Sequence, residues 1–260
     1  MQQRHTDQQQ YFNELSATTG KYILPLVSAF IIPGPGIKVA EVGCGLGGNL
    51  QPFLDKGCSV YGIDRNAQKT KHAKKLLGAG ERKNAHVIEA DFFLLEENEE
   101  NRFNIILLRD TIEHIHDKNG LLQKLRKHLL PGGIIYIAFP PWRMPFGGHH
   151  QVCVNGFISK LPYFHLLPSF MYFGIMKILG EQKSTIRDLR ECRETGISIA
   201  AFRALVKHSR FVTLKEITYF INPHYEAKFK LKPRLLPRSW QIPWLVDFYA
   251  TAHSCIVRPE

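Results

Sequence analysis

Cysteine is scarce in this chain, and so is any uninterrupted hydrophobic run. Its 260 residues include five cysteines, Cys44, Cys58, Cys153, Cys192 and Cys255, odd in number and without CxxC spacing. That pattern excludes a disulfide framework and predicts free thiols in a reducing compartment. The long apolar stretch LPYFHLLPSFMYFGIMKIL (161–179) is broken by Pro162, His165, Pro168 and Lys177. A membrane-spanning helix is therefore not expected there. The start, MQQRHTDQQQ, holds no apolar segment and predicts no secretory leader. Acids are in deficit: 23 Asp and Glu face 34 Lys and Arg, a formal net charge of +11. Such an excess attracts anions and leaves nucleic acid, an anionic membrane surface and acidic substrates all open. The expected location is cytoplasmic, with peripheral contact at the inner face of a membrane as an extension of it.

What is present is an ordinary globular composition, 44% hydrophobic and 22% charged, with no internal repeat. Residues 37–138 alternate strand-like and helix-like segments, the signature of a parallel sheet with helices on both faces. IKVAEVG (37–43), CSVYGID (58–64), HVIEA (86–90), FNIILL (103–108) and IIYIAF (134–139) read as five strands. Apolar residues at helical spacing lie between them, closed by Gly57, Gly78 and Pro131-Gly132-Gly133. Residues 140–185 lose this rhythm and read as a lid inserted after strand five. Ser198 is expected to cap a last helix. VTLKEITYF (212–220) and FYATAHSCIV (248–257) read as two late strands. Between them KFKLKPR (228–234) predicts an extended ribbon with Lys228, Lys230 and Lys232 on one face.

The chemistry starts at EVGCGLGGN (41–49), between strand one and the next helix. Gly43, Gly45 and Gly47 allow a tight turn and a close approach to a ligand. Gly43, Gly45 and Gly48 also satisfy G-x-G-x-x-G, which keeps a nicotinamide-dependent oxidoreductase open as a reading. Three acids, Glu41, Asp64 and Asp91, fall at the ends of successive strands. That edge is where open α/β sheets bind ligands, and a carboxylate there can accept from ribose hydroxyls. An acidic rim suits a ribose, an amine and a positive centre, and suits a pyrophosphate badly. Taken singly, Asp64 and Asp91 also read as helix caps.

With EVGCGLG (41–47), YGID (61–64), EAD (89–91), RDTIEHI (109–115) and LLPGG (129–133) in this order, the sequence resembles the class I S-adenosylmethionine-dependent methyltransferases. The resemblance implies a Rossmann-like, seven-stranded, mostly parallel sheet with helices on both faces. It divides the chain into an N-terminal helical segment (1–36), a cofactor-binding core (37–139), a lid (140–190), and a closing helix with the last strands (191–260). It implies S-adenosylmethionine as cofactor and S-adenosylhomocysteine as product. In that reading Gly43, Cys44, Gly45 and Gly47 pass under the methionine portion, with Glu41 beside them. Asp64 and Arg65 meet the ribose, Asp91 and Phe92 the adenine, and Arg109 and Asp110 the methionine end. DTIEH (110–114) is similar to a D-x-x-E-H segment of small-molecule members, quinone-ring methyltransferases among them.

The expected acceptor is a small molecule, apolar or quinone-like, methylated at oxygen in preference to nitrogen or carbon. A hydroxyl acceptor must lose a proton, which makes His114, His149 and His150 the candidate bases, with His224 of NPHYE as a weaker one that first reads as a turn. No metal site is expected. His149, His150 and Cys153 stand close in the sequence, and Glu113 with His114 or His116 is another possible set, but adjacent histidines in an extended segment point to opposite faces and cannot easily share one ion. The apolar stretch 161–179 reads as an extra helix pair, as the wall of an apolar pocket, or as a membrane-contacting surface. RNA or tRNA methylation is the alternative that the charge suggests, but no nucleic-acid-binding appendage is recognisable. A non-catalytic cofactor-binding protein is the other. FPPW (139–142) is similar to the Asn/Asp-Pro-Pro-aromatic motif of nucleobase amino-methylating enzymes, yet it follows strand five and opens with Phe139. Two prolines at a strand exit end the ladder and stiffen the path into the lid, with Trp142 or Phe146 as apolar walls.

Overall fold

Strand residues here are apolar on both faces because both faces are covered. In β4 (Phe103–Arg109), Ile105 and Leu107 point to one side and Ile106 and Leu108 to the other, and all four are buried. Alternation along the pleat feeds two cores, one on each side of a single sheet. The structure is a computed structural model, and residues 7–260 are described. Among these the strands are β1 (Lys38–Val42), β2 (Ser59–Asp64), β3 (Ala85–Glu89), β4, β5 (Leu129–Phe139), β6 (Phe211–Ile221), β7 (Arg234–Leu235) and β8 (Ala252–Pro259). They form one sheet in the order β3-β2-β1-β4-β5-β8-β6-β7. Pairs from β3 to β5 are parallel, and β8 runs antiparallel between β5 and β6.

One face of the sheet is covered by α1 (Gln8–Thr18), α2 (Leu24–Ser28), α3 (Gln51–Asp55) and α4 (Ala67–Leu77), through Phe12, Val27, Phe53 and Leu77. The other carries α5 (Lys118–Lys127) and the helix Ile199–His208, through Leu121, Leu125, Phe202 and Val206. Local signals set the helix ends. The Asn66 side chain accepts from Lys69 N at the start of α4, and Gly78 closes it in the left-handed region. Ser198 caps the helix Ile199–His208 by accepting from Ala201 N, as its sequence predicts.

Three sequence expectations need correction. The sheet has eight strands among the described residues, not seven, because the two-residue β7 extends the edge beside β6. The fifth strand starts at Leu129, not at Ile134. Leu129 pairs with Phe103, and Pro131-Gly132-Gly133 is absorbed as an irregularity before Ile134 pairs with Ile105. The basic ribbon does not form. Asn222 accepts from the His224 backbone and starts a helix, His224–Phe229, which takes in Lys228 and ends at Lys230 in the left-handed region. The three lysines therefore do not lie along one extended face.

The segment after β5 folds on itself through short turns, α6 (Ser169–Ile178) and α7 (Lys183–Thr195). Its own core contains Cys153, Ile158, Phe164, Tyr172, Phe173, Met176, Ile186 and Leu189. The helix-pair reading of 161–179 is met on one side of α6. On the other, Phe170 and Ile178 are 78% and 84% exposed. No helix of the described residues is long and apolar enough to cross a membrane.

Candidate cofactor and acceptor site

The strand order reverses between β1 and β4, both paired in parallel, and the loops leaving their carboxyl ends meet there. This switch point is where an open α/β sheet leaves a crevice. After β1 the chain turns through Gly43, whose φ of +74° is costly for any other residue. A Cβ at Gly43 would also stand 2.6 Å from Thr111 Oγ1 on the loop after β4. A Cβ at Gly48 would stand 2.5 Å from the Phe12 carbonyl, so the glycine is what lets α1 lie against the loop. A Cβ at Gly45, by contrast, would meet nothing within 4 Å, because that side opens into the crevice.

Two cavities flank the loop. One of about 310 Å³ is lined by Tyr11, Glu41, Gly43, Cys44, Gly45, Asn49, Lys69, Arg109 and Asp110 among others. The second, about 500 Å³, is lined on its polar side by Asp64, Arg65, Asp91 and Asp110, with Phe92, Phe93, Ile115 and His114 as further walls. The residues expected to hold the cofactor thus divide between two adjoining cavities that share Gly43, Lys69 and Asp110, except Gly47, which lines neither and instead lies against Leu77 and Ala73 of α4.

The first cavity has a polar floor. Asn49 Nδ2 donates to Glu41 Oε1 at 2.5 Å, while Arg109 Nη1 and Thr19 Oγ1 each donate to Asn49 Oδ1 at 2.7 Å. Glu41 Oε2 is buried with no hydrogen-bond partner. Burial raises the Glu41 carboxyl to about 8, against the opposing pull of Asn49 and Arg109. A cationic ligand group beside it would supply the missing partner. Thr19 sits in a π-helical turn, Thr19–Ile23, where the helix path widens. Asn49, Thr19 and Tyr11 were not singled out in the sequence. Asn49 had a signal, as the polar residue that ends the glycine-rich run, and the other two had none.

Asp64 is not a helix cap in the ordinary sense. Its Oδ2 accepts from Gly45 N at 2.9 Å and its Oδ1 from Asn66 N at 2.8 Å, which ties the glycine loop to β2. Asp91 accepts from Phe93 N and so shapes the turn that sets Phe92 and Phe93 at the second cavity. Phe92 is mostly core, 5% exposed, and Phe93 has the freer ring. Cys44 is buried against Gly62, and burial raises its thiol well above the usual range. Asp110 adopts φ +50°, a region that Asp tolerates better than most residues. It borders both cavities and a third one, beside Tyr22, Tyr136, Phe139, Tyr219 and Pro223.

The candidate bases separate. His150 is fully buried inside the lid, its Nε2 2.8 Å from the Leu161 carbonyl and its ring stacked on His165. That geometry serves lid packing, and the residue does not reach the cofactor cavities. His114 and His149 do come together, with ring centroids 5.1 Å apart. They share a narrow cavity with Glu113, Trp142 and Cys192, and His114 also borders the second of the two cavities beside the glycine loop. Burial, with His114 nearby, lowers His149 to about 4. The His114 ring is packed against His149 and Cys192, and that desolvation lowers it too, although solvent reaches its rim. Phe139 is core, packed 4.9 Å from Phe202. Trp142 packs edge-on to His165 and over Gly196, and Phe146 packs on His150, so both rings wall the lid interior.

Comparison with known proteins agrees with this crevice. A family described as methyltransferase domain matches residues 11–162. The ubiquinone biosynthesis O-methyltransferase of Rhodopseudomonas palustris (strain TIE-1) is 32% identical over 107 residues, 40% of this chain and 40% of that one. The phosphoethanolamine N-methyltransferase of Triticum aestivum is 37% identical over 105 residues, 40% of this chain and 20% of its own length. The matched part therefore spans less than half of these relatives. The plantazolicin methyltransferase BamL, solved with a desmethyl analogue of plantazolicin and S-adenosylhomocysteine, superposes with a TM-score of 0.56 at 16% identity, covering 99% of this chain and 88% of its own. The [4+2]-cyclase SpnF also shares the fold, with a TM-score of 0.54 at 14% identity, covering 91% of this chain and 80% of its own. The family match runs from the helix that closes the crevice, through every strand-end loop that lines it, into the lid: the chain belongs to the methyltransferase-domain family and has the fold of the class I S-adenosylmethionine-dependent methyltransferases.

Proposed function

We propose that this enzyme methylates a hydroxyl oxygen on a small, apolar, quinone- or lipid-like acceptor. The observation that carries the reading is the meeting of Glu113, His114 and His149 at the carboxyl ends of β4 and β5, beside the cofactor cavities. A hydroxyl must shed its proton to become a good nucleophile, and groups that receive or displace a proton are needed at that place. An amine acceptor, once neutral, already carries a free electron pair and needs no strong base. Bound S-adenosylmethionine supplies an electrophilic methyl group on a sulfonium. The chain's part is to align acceptor and methyl, which contributes much of the acceleration. Glu41, Asn49 and Arg109 would hold the methionine end, Asp64 the ribose and Asp91 the adenine. Asp110 stands where these cavities meet a small aromatic cavity of about 20 Å³ beside Tyr22, Tyr136 and Tyr219, and those side chains would have to part for an acceptor ring to enter there.

Two further features support an apolar acceptor. Curated relatives are named for ubiquinone biosynthesis O-methylation. The lid exposes Phe157, Phe170 and Ile178, and the segment before β8 exposes Trp240 and Trp244, surfaces that suit contact with a membrane holding such a molecule. The test is a panel of acceptors with the purified enzyme: an alkyl-substituted catechol, phosphoethanolamine and bulk tRNA. Methylated catechol with stoichiometric S-adenosylhomocysteine is expected. Transfer to phosphoethanolamine or tRNA, and none to the catechol, would overturn the reading.

A further inference from the structure

Glu113 poses a problem that the protein does not solve by itself. It is 4% exposed, and both carboxylate oxygens are buried without a hydrogen-bond partner. Buried carboxylates are normally paired, hydrogen-bonded or bound to metal. The Lys118 ammonium, at the start of α5, lies nearby, but it donates to the carbonyls of Ile115 and Thr195. What does approach Glu113 is a pair of imidazoles. Glu113, His114 and His149 each offer one ligand atom, and these atoms all lie within 4.8 Å of one another. Ligands around a tetrahedral ion with bonds of about 2.0–2.2 Å stand roughly 3.3–3.6 Å apart, so small side-chain rotations close the set.

We propose that Glu113, His114 and His149 form a binding site for one divalent transition-metal ion, with zinc the best-suited probe. The backbone places the three donors. Glu113 and His114 lie in the short turn Ile112–His114 after β4. His149 arrives from the lid with φ 57°, ψ 12°, a conformation that non-glycine residues seldom adopt, and this turn separates its ring from that of His150. His149 and His150 lie in a turn and not in the extended segment that the sequence suggests, and the second imidazole comes from another strand's loop. Cys192 Sγ stands 3.8 Å from His114 Nδ1 in the same narrow cavity and offers a soft donor at the border of the site. Two nitrogens and one carboxylate suit zinc and its late first-row neighbours, whereas magnesium and calcium prefer all-oxygen shells.

The role of the site rests on the acceptor reading above. An acceptor hydroxyl entering the remaining position would lose its proton to solvent. Its oxygen would then form the bond to the methyl carbon as the carbon–sulfur bond breaks and its electron pair stays on sulfur.

The experiment uses the full chain, stripped with chelator and titrated calorimetrically with Zn²⁺ and separately with Mg²⁺. Saturable one-to-one Zn²⁺ binding without a Mg²⁺ response is expected. His149→Gln and Glu113→Gln should each weaken Zn²⁺ by at least about tenfold. His116→Gln, outside the set, should not. Unchanged S-adenosylhomocysteine affinity in His149→Gln establishes that the variant is folded. Cobalt-loaded protein should show visible absorption that His149→Gln abolishes. Absence of saturable Zn²⁺ binding, or equal binding by the His149→Gln and wild-type proteins, would overturn the site. None of these readouts uses an acceptor, so the site can stand if the catechol test fails, and the reverse.

Discussion

Arg109 Nη1 reaches Asn49 Oδ1 at 2.7 Å and so joins the end of β4 to the loop that follows β1. Both residues are buried, and the same Asn49 amide holds Glu41 through its nitrogen. Asn49→Ala removes the shared partner of Glu41, Arg109 and Thr19 at once. A loss of about 2–3 kcal/mol in urea unfolding is expected, together with at least tenfold weaker S-adenosylhomocysteine binding by calorimetry. Loss of stability with unaltered affinity would make the network purely structural.

Gly43 and Gly36 separate backbone strain from crowding. Both have positive φ, but a Cβ at Gly36 meets nothing within 4 Å while one at Gly43 strikes Thr111. Gly36→Ala should cost about 1 kcal/mol, and Gly43→Ala about 2–4 kcal/mol with cofactor affinity falling in parallel. Equal costs in thermal and chemical denaturation would mean that the contact with Thr111 relaxes freely.

Glu41, raised to about 8 mainly by burial, holds its proton at pH 7 in the free protein. Its contribution to stability is therefore full below the ordinary 4.5 and declines as pH rises toward about 8. A cofactor ammonium beside it would favour the carboxylate, so binding at pH 7 should release a proton and tighten as pH rises to about 8. Calorimetry in buffers of contrasting ionisation enthalpy measures that release, and Glu41→Gln should abolish it. Buffer-independent heats in the wild type would place the ammonium elsewhere.

Glu216 shifts the opposite way. Arg203 at 2.7 Å and His253 at 3.0 Å stand against its carboxylate, and the close approach of His253, followed by the hydrogen bond from Arg203, holds it down at about 2. Its stabilisation is present above the ordinary 4.5 and is lost as pH falls toward about 2. With the carboxylate 31% exposed, solvent screening trims the effect of Glu216→Gln to about 1–2 kcal/mol at pH 7. The gap between wild type and variant should close on acidification, as denaturation midpoints at stepped pH would reveal. A gap that persists at pH 2 would mean that packing, not charge, is what the substitution removes.

Much of the architecture was written locally. Apolar runs marked β1 to β4, the first closed by a glycine and the second by an acid, and the Asn66, Gly78 and Ser198 caps act over a few residues. Misreadings arose where local cues competed. Pro131-Gly132-Gly133 signals a stop, yet β5 pairs across it because Phe103 on the neighbouring strand offers Leu129 a partner. Alternating KFKLKPR suggests an extended ribbon, yet the turn at Asn222, whose side chain accepts from His224 N, leads the chain into the helix His224–Phe229.

The sequence by itself determined the class of cofactor site, because a glycine turn and strand-end acids are properties of short segments whose register the sheet preserves. Only the tertiary structure decided what surrounds them. Thr19 on Asn49, Phe12 against Gly48, and His149 beside His114 are contacts between residues far apart in the chain. Such pairs leave no periodicity to read. They exist because helices packed on one sheet bring their ends to one edge, and because His149 turns in the left-handed region and aims its ring away from that of its neighbour.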